Sequence, residues 1–150
     1  MATQKLSRAA YDRLKAEFDD LTTRGRIEVA EKIERAREEG DLKENAGYHA
    51  AKDEQGHMEG RIRQLEHVLE NAEIIEDQFV YTIVFDGDSD DMAERYLIGH
   101  TEEQVDGAEV ISASSPLGAA LNGAEQGASV SYQAPSGATL TVRVIGVERL

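Results

Sequence analysis

The sequence predicts an α+β protein in two parts: an antiparallel helical hairpin of coiled-coil type, then a small domain of twisted antiparallel strands around one short helix. Three observations predict it. No proline occurs from Ser7 to Glu76, and apolar residues there recur every three or four positions between charged ones. From Phe79 onward the period drops to two. Within that second stretch, Pro116-Leu117-Gly118-Ala119-Ala120-Leu121-Asn122-Gly123 carries proline where a helix begins and glycine just past where it ends.

Ser7 is a natural N-cap for the first helix, and Gly40 a natural stop for it. Along this helix Tyr11, Leu14, Phe18 and Leu21 follow the alternating spacing of a coiled-coil seam. The seam continues through Gly25, Val29, Ile33 and Ala36 with a run of four-residue steps that should locally relax the supercoil. In the second helix Ala51, Gln55, Met58, Ile62, Leu65, Leu69 and Ala72 step by four and three throughout. Two helices of about 30 residues joined near Gly40 can bury these stripes only against each other, as a hairpin about 45 Å long at 1.5 Å per residue. Spacing alone favours a dimerisation coiled coil or a spacer; the turn decides otherwise.

In the second part, Phe79–Phe85 reads as a strand ending at an Asp86-Gly87-Asp88 turn, with Arg95–Ile98 as its hairpin partner. Val110-Ile111 and Ser129–Tyr132 are shorter candidates. A Pro135-Ser136-Gly137 turn leads into Thr139–Ile145. The boundary falls between residues 1–76 and residues 77–150, the latter a compact α+β domain with a modest core.

The chain carries 16 basic and 30 acidic residues, a net charge of −14. Such a chain does not grip nucleic acid through its overall field, because phosphate binding needs clustered Lys and Arg. Residues 1–76 hold 13 basic and 18 acidic residues, and residues 77–150 hold 3 and 12. Any local contact with nucleic acid therefore belongs to the hairpin, with no independent sequence-specific binding expected. There is no cysteine, which fits a reducing compartment and excludes thiolate metal sites. The start lacks an apolar signal core, and no segment is apolar enough to span a bilayer. The expectation is a cytoplasmic protein with no membrane partner.

The hairpin tip, near residues 38–45, places Glu38, Glu39, Asp41 and Glu44 within seven residues. Asp41 followed three residues later by Glu44 is a capping-box pattern, and spacing alone favours that reading. The alternative starts from what hard cations need. Mg²⁺ binds through one or two carboxylates, keeps several waters and takes other ligands from phosphate oxygens. Two carboxylates on a thin hairpin make no enclosed site, but they can complete a two-metal site inside another protein's cleft. Asn45 can take over as cap and release Asp41 and Glu44; the sequence leaves open which residue caps.

The run REEGDLKENAGYHAAKDEQGHMEGRIRQLE, residues 37–66, closely resembles the tip and second helix of Gre-type transcription elongation factors, nearest their A subtype. The run SSPLGAALNGAEQGASVSYQAPSG, residues 114–137, resembles that family's C-terminal domain, which is FKBP-like in fold. The resemblance implies that the chain is not itself an enzyme. It implies an activator that binds RNA polymerase, inserts its tip into the secondary channel and stimulates the polymerase's own Mg²⁺-dependent cleavage of backtracked RNA. By this resemblance Asp41 and Glu44 are the acidic pair lent to the polymerase site, sharing Mg²⁺ only in the complex, with no cofactor of the chain's own. Arg37 and Lys52 match basic positions that contact the RNA 3′ segment, with Lys52 standing where arginine is common. Tyr48 is placed either to stack on a base or to cover the tip. Ser114, Ser115 and Pro116 match the loop that docks on the polymerase, with Ser114 where Asp or Asn is frequent. Relatives usually have ten or more residues between hairpin and first strand, whereas here Ile74–Gln78 runs directly into Phe79. The alternative function is a channel-binding inhibitor of the same architecture, which would be expected to alter the tip carboxylates.

Other chemistries find little support. His49, His57, His67 and His100 include no pair at helical metal-site spacing. There is no phosphate-loop or dinucleotide fingerprint. An FKBP-like fold alone does not imply prolyl isomerase activity.

Overall fold

The computed structural model describes residues 3–41 and 43–150; Leu42, inside the acidic tip, and Met1 and Ala2 lie outside the described residues. In chain order the elements are β1 (Gln4–Ser7), α1 (Arg8–Asp20), a π-helical segment (Leu21–Gly25), α2 (Arg26–Arg37) and α3 (Ala46–Glu70). There follow β2 (Ala72–Ile75), β3 (Phe79–Phe85), a 3₁₀ turn (Asp90–Met92), β4 (Glu94–Ile98), β5 (Glu109–Ile111), α4 (Pro116–Leu121), β6 (Ser129–Gln133) and β7 (Thr139–Arg149). The chain forms two compact units, one holding Tyr11–Ala72 and the other Glu73–Leu150 together with Lys5–Ala10.

In the first unit, α2 and the π-helical segment pack on α3. The expected seam is real: Leu14, Val29, Ile33, Ala36, Ala51, Ile62 and Leu65 are buried. The run of four-residue steps has a sharper consequence than a relaxed supercoil. A π turn holds more residues than an α turn, so Leu21, Gly25 and Val29 stay on one face where an α-helix would drift. The hydroxyls of Thr22 and Thr23 donate back to the carbonyls of Phe18 (2.8 Å) and Asp19 (2.6 Å) and so occupy oxygens of the preceding turn. Gly25 lets the helices approach closely, since a Cβ there would lie 3.1 Å from Met58 Sδ and the methionine would have to shift by a few tenths of an ångström. Ion pairs cross the helices and set their register, among them Glu17–Arg61 (2.7 Å), Arg26–Glu59 (2.9 Å) and Lys32–Glu54 (2.9 Å).

One part of the seam is corrected. Helix α3 ends at Glu70, where Asn71 is the C-cap, and Ala72 begins strand β2 instead of a last helical turn. Val68 is buried at that end while Leu69 is only half-buried. Strands β1 and β2 pair in a two-stranded sheet that periodicity did not anticipate.

The second unit is a five-stranded sheet of order β5-β4-β3-β7-β6. Three of its pairings are antiparallel, as expected, but β5 joins β4 in parallel and makes the sheet mixed. Strand β7 runs on to Arg149, and its register against β3 passes from Thr82↔Gly146 to Ile83↔Val144. That irregularity adds a local twist to the two central strands. Tyr81, Ile83, Val142 and Val144 form the core with Leu121 of α4. Gly118 lets α4 sit tightly, since a Cβ there would come within 2.0 Å of the Ser112 carbonyl oxygen.

Ser7 is the cap the sequence suggests: its hydroxyl accepts from the Ala10 N–H (3.1 Å). The same hydroxyl donates to Glu103 Oε1 (2.7 Å), and the Ser7 N–H donates to Oε2 (2.8 Å). Glu103 is 6% exposed, and its burial is tolerated because both oxygens accept hydrogen bonds beside a helix N-terminus. Glu103→Ala strands two donors and should cost about 2–3 kcal/mol, read from the urea midpoint of the full chain. Gly118→Ala forces its methyl into backbone and should cost about 2–4 kcal/mol by the same measurement.

Candidate functional site

The tip begins where α2 stops. The N–H groups of Glu39 and Gly40 turn back onto the carbonyls of Ala36 (3.2 Å) and Arg37 (3.4 Å). Gly40 has φ +117°, a conformation that L side chains rarely adopt, so glycine at this stop is required by the backbone.

The open question of the cap has an answer. Asn45 is the N-cap of α3, and its Oδ1 accepts from the Tyr48 N–H (2.9 Å). Its Nδ2 donates to the Ala36 carbonyl (2.5 Å), so one side chain satisfies the end of α2 and the start of α3 together. Asp41 is left with a local contact: Oδ1 accepts from the Lys43 N–H (3.0 Å). Among the described residues, no hydrogen bond or ion pair engages the Glu44 carboxylate. Both acids are exposed.

Arg37, in the last turn of α2, holds its guanidinium 5.9 Å from the centre of the Tyr48 ring, a cation–π contact across the turn. Tyr48 is half-buried, and its ring meets that of His49 edge-on at 5.6 Å. The structure thus gathers Arg37, Asp41, Glu44 and Tyr48 at one turn. Lys52 lies one helical turn further along α3 and its ammonium donates to Gln55 Oε1 (3.0 Å). Sequence reasoning missed the second bond of Asn45 and the ring of His49, which lies 3.2 Å from the Lys43 carbonyl. An asparagine just before the helical run signals the cap; nothing local signals the partner on Ala36.

In the second unit, Ser115 caps α4: its Oγ accepts from the Gly118 N–H (3.1 Å) and donates to the Ser112 carbonyl (2.7 Å). The Ser114 N–H donates to Ser112 Oγ (3.1 Å), and the two hydroxyls are 2.8 Å apart. Ser114, on a loop whose backbone is fixed by its own serines, and Pro116, the first residue of α4, are exposed. A cavity of about 100 Å³ beside Phe85, Ser129 and Arg143 is small against the roughly 300–1,000 Å³ of ordinary ligand pockets. Burial raises the pKa of the Tyr96 and Tyr132 phenols, and a bond to Glu94 (2.7 Å) adds to the shift at Tyr96, so both stay neutral.

Among the described residues, no group of three or more His, Asp or Glu side chains is placed to hold a metal ion, and no helix is long and apolar enough to cross a membrane. The donors at the tip are nevertheless hard oxygens of the kind Mg²⁺ takes, too few to enclose it.

A helical hairpin with an acidic turn, followed by a strand domain with a serine-capped loop, defines a two-part protein whose candidate site residues lie at those two turns and on the helix ends beside them. Residues 4–74 match the family model for the N-terminal part of transcription elongation factors, and residues 78–149 match that for the C-terminal part of GreA and GreB. The chain belongs to the GreA/GreB family of transcription elongation factors. It is 43% identical over 152 residues to transcription elongation factor GreA of Streptomyces avermitilis, spanning 95% of this chain and 92% of the relative. It is 46% identical to GreA of Mycolicibacterium vanbaalenii, over 95% of this chain and 93% of that one. A solved structure of the transcription factor Gfh1 is 27% identical, covers 99% of each chain and superposes with a TM-score of 0.48.

Asn45→Ala removes the cap and the tie to Ala36 and should destabilise the hairpin by about 1–2 kcal/mol. Asn45→Asp keeps the cap alone and should lose roughly half of that, as measured by amide exchange along α3.

Proposed function

We propose that this elongation factor binds RNA polymerase, brings its hairpin tip to the active site through the secondary channel, and stimulates the polymerase's own cleavage of backtracked RNA. The observation that carries the reading is the cap. With Asn45 closing α3, Asp41 and Glu44 are released from capping duty and face solvent from one turn.

The chain's own contribution is placement. Asn45 holds the two helix ends together, the Asx turn at Asp41 engages Oδ1, and among the described residues no hydrogen bond or ion pair engages the Glu44 carboxylate. Such donors suit Mg²⁺, which when bound in the complex would supply charge stabilisation to the phosphate under attack. Two carboxylates are too few to retain the ion alone, so the activity belongs to the complex and the factor is not an enzyme in its own right. Arg37 and Tyr48 offer a cation and a ring face to the RNA 3′ segment, and Lys52 a further cation as a point charge without a guanidinium fork. Ser114, Ser115 and Pro116 form the docking loop. The reading places the protein in the cytoplasm, meeting DNA only through the polymerase.

With halted, backtracked complexes and Mg²⁺, adding the protein should release short 3′ RNA fragments. Asp41→Asn and Glu44→Gln should each slow that release by about a hundredfold, near 2.7 kcal/mol of barrier, while affinity for polymerase stays within about twofold. Parent-like cleavage by both variants sinks the mechanism. Inhibition of multi-round transcription without cleavage would instead indicate a channel-blocking factor.

A further inference from the structure

Lys43 lies in the chain between the two acids, and both hydrogen-bonding groups of its backbone are taken. Its N–H donates to Asp41 Oδ1 (3.0 Å), and its carbonyl oxygen lies 3.2 Å from His49 Nε2. A carbonyl only accepts, so the ring must present an Nε2–H, as the neutral tautomer or as imidazolium. His49 is itself anchored in α3, where its N–H donates to the Asn45 carbonyl (3.1 Å) and its ring meets Tyr48 edge-on. The peptide that leads into Glu44 is therefore tied to the helix that Asn45 caps.

We infer that His49 is a positioning residue for the acidic pair: by holding the Lys43 carbonyl it fixes the Lys43–Glu44 peptide and hence the direction in which Glu44 leaves the turn. The inference rests on the role of Asp41 and Glu44 proposed above. An untied turn divides its population among several conformations, and only the fraction that presents both carboxylates together contributes to cleavage. One ordinary hydrogen bond changes such a fraction about three- to tenfold. The bonds of Asn45 do not involve the imidazole, so the hairpin itself does not depend on it.

The test uses the full-length protein with backtracked complexes, with cleavage followed over a range of factor concentrations. His49→Ala should lower the saturating rate about three- to tenfold and leave the half-saturating concentration within about twofold. His49→Gln, which retains an N–H donor at similar reach, should restore most of the rate. An unchanged saturating rate for His49→Ala overturns the inference, as does a loss expressed only in half-saturating concentration or a His49→Gln variant no better than alanine. Asp41→Asn and Glu44→Gln run alongside separate the two claims, since parent-like cleavage by both defeats the proposed function instead. In the free protein, Lys43 amide exchange should quicken in His49→Ala and recover in His49→Gln. Exchange that does not change overturns the positioning role whatever the polymerase assay gives.

Discussion

Two helix ends meet at the tip of the hairpin, and each brings unpaired backbone groups. The last carbonyls of α2 and the first N–H groups of α3 need partners on an exposed turn where water competes for them. Asn45 answers both with one amide, its Nδ2 on the Ala36 carbonyl and its Oδ1 on the Tyr48 N–H. An aspartate in that place could cap but not donate, and a serine could do either only at shorter reach. The functional reading depends on this side chain, because an Asp41 spent on capping would have fewer lone pairs to offer.

The hairpin behind the tip divides its labour between apolar and charged groups. Its stability comes from the buried stripe of Val29, Ile33, Ile62 and Leu65, since partly exposed ion pairs each contribute little. Those pairs instead fix how the helices slide past one another, and in doing so they take up cations. Arg26, Lys32 and Arg61 all face carboxylates across the hairpin. Arg37 is engaged differently, over the Tyr48 ring, where its N–H groups keep their capacity for an anion. A chain with a net charge of −14 can thus hold a local cation beside its acidic turn.

What the sequence shows follows the range of the interactions involved. Phe79–Phe85 and Pro116–Leu121 carry their own signals, alternation in one and a proline start in the other, and both form as read. Strands β1 and β2 are four residues each and lie some 65 residues apart, so neither has a period long enough to see. The parallel docking of β5 on β4 is likewise a long-range choice that Val110-Ile111 cannot announce. At the tip, charge and spacing alone favour a capping box at Asp41 and Glu44. The structure instead gives the cap to Asn45, the next residue in the chain, and leaves Asp41 and Glu44 without that duty.

The exposure of the acidic pair also bears on the safety of the free protein. Mg²⁺ held by two carboxylates on an open turn keeps most of its water shell and dissociates readily. It is also poorly placed for catalysis, because charge stabilisation is strong only where water is excluded. In the proposed function both deficits are made good by the same event, entry into a cleft that already holds phosphate, metal and low dielectric. A more enclosed acidic site on the hairpin would bind metal better and lose this conditionality. A sparse, outward-facing pair therefore suits the proposed role, in which hydrolysis is promoted only inside the polymerase that presents the RNA.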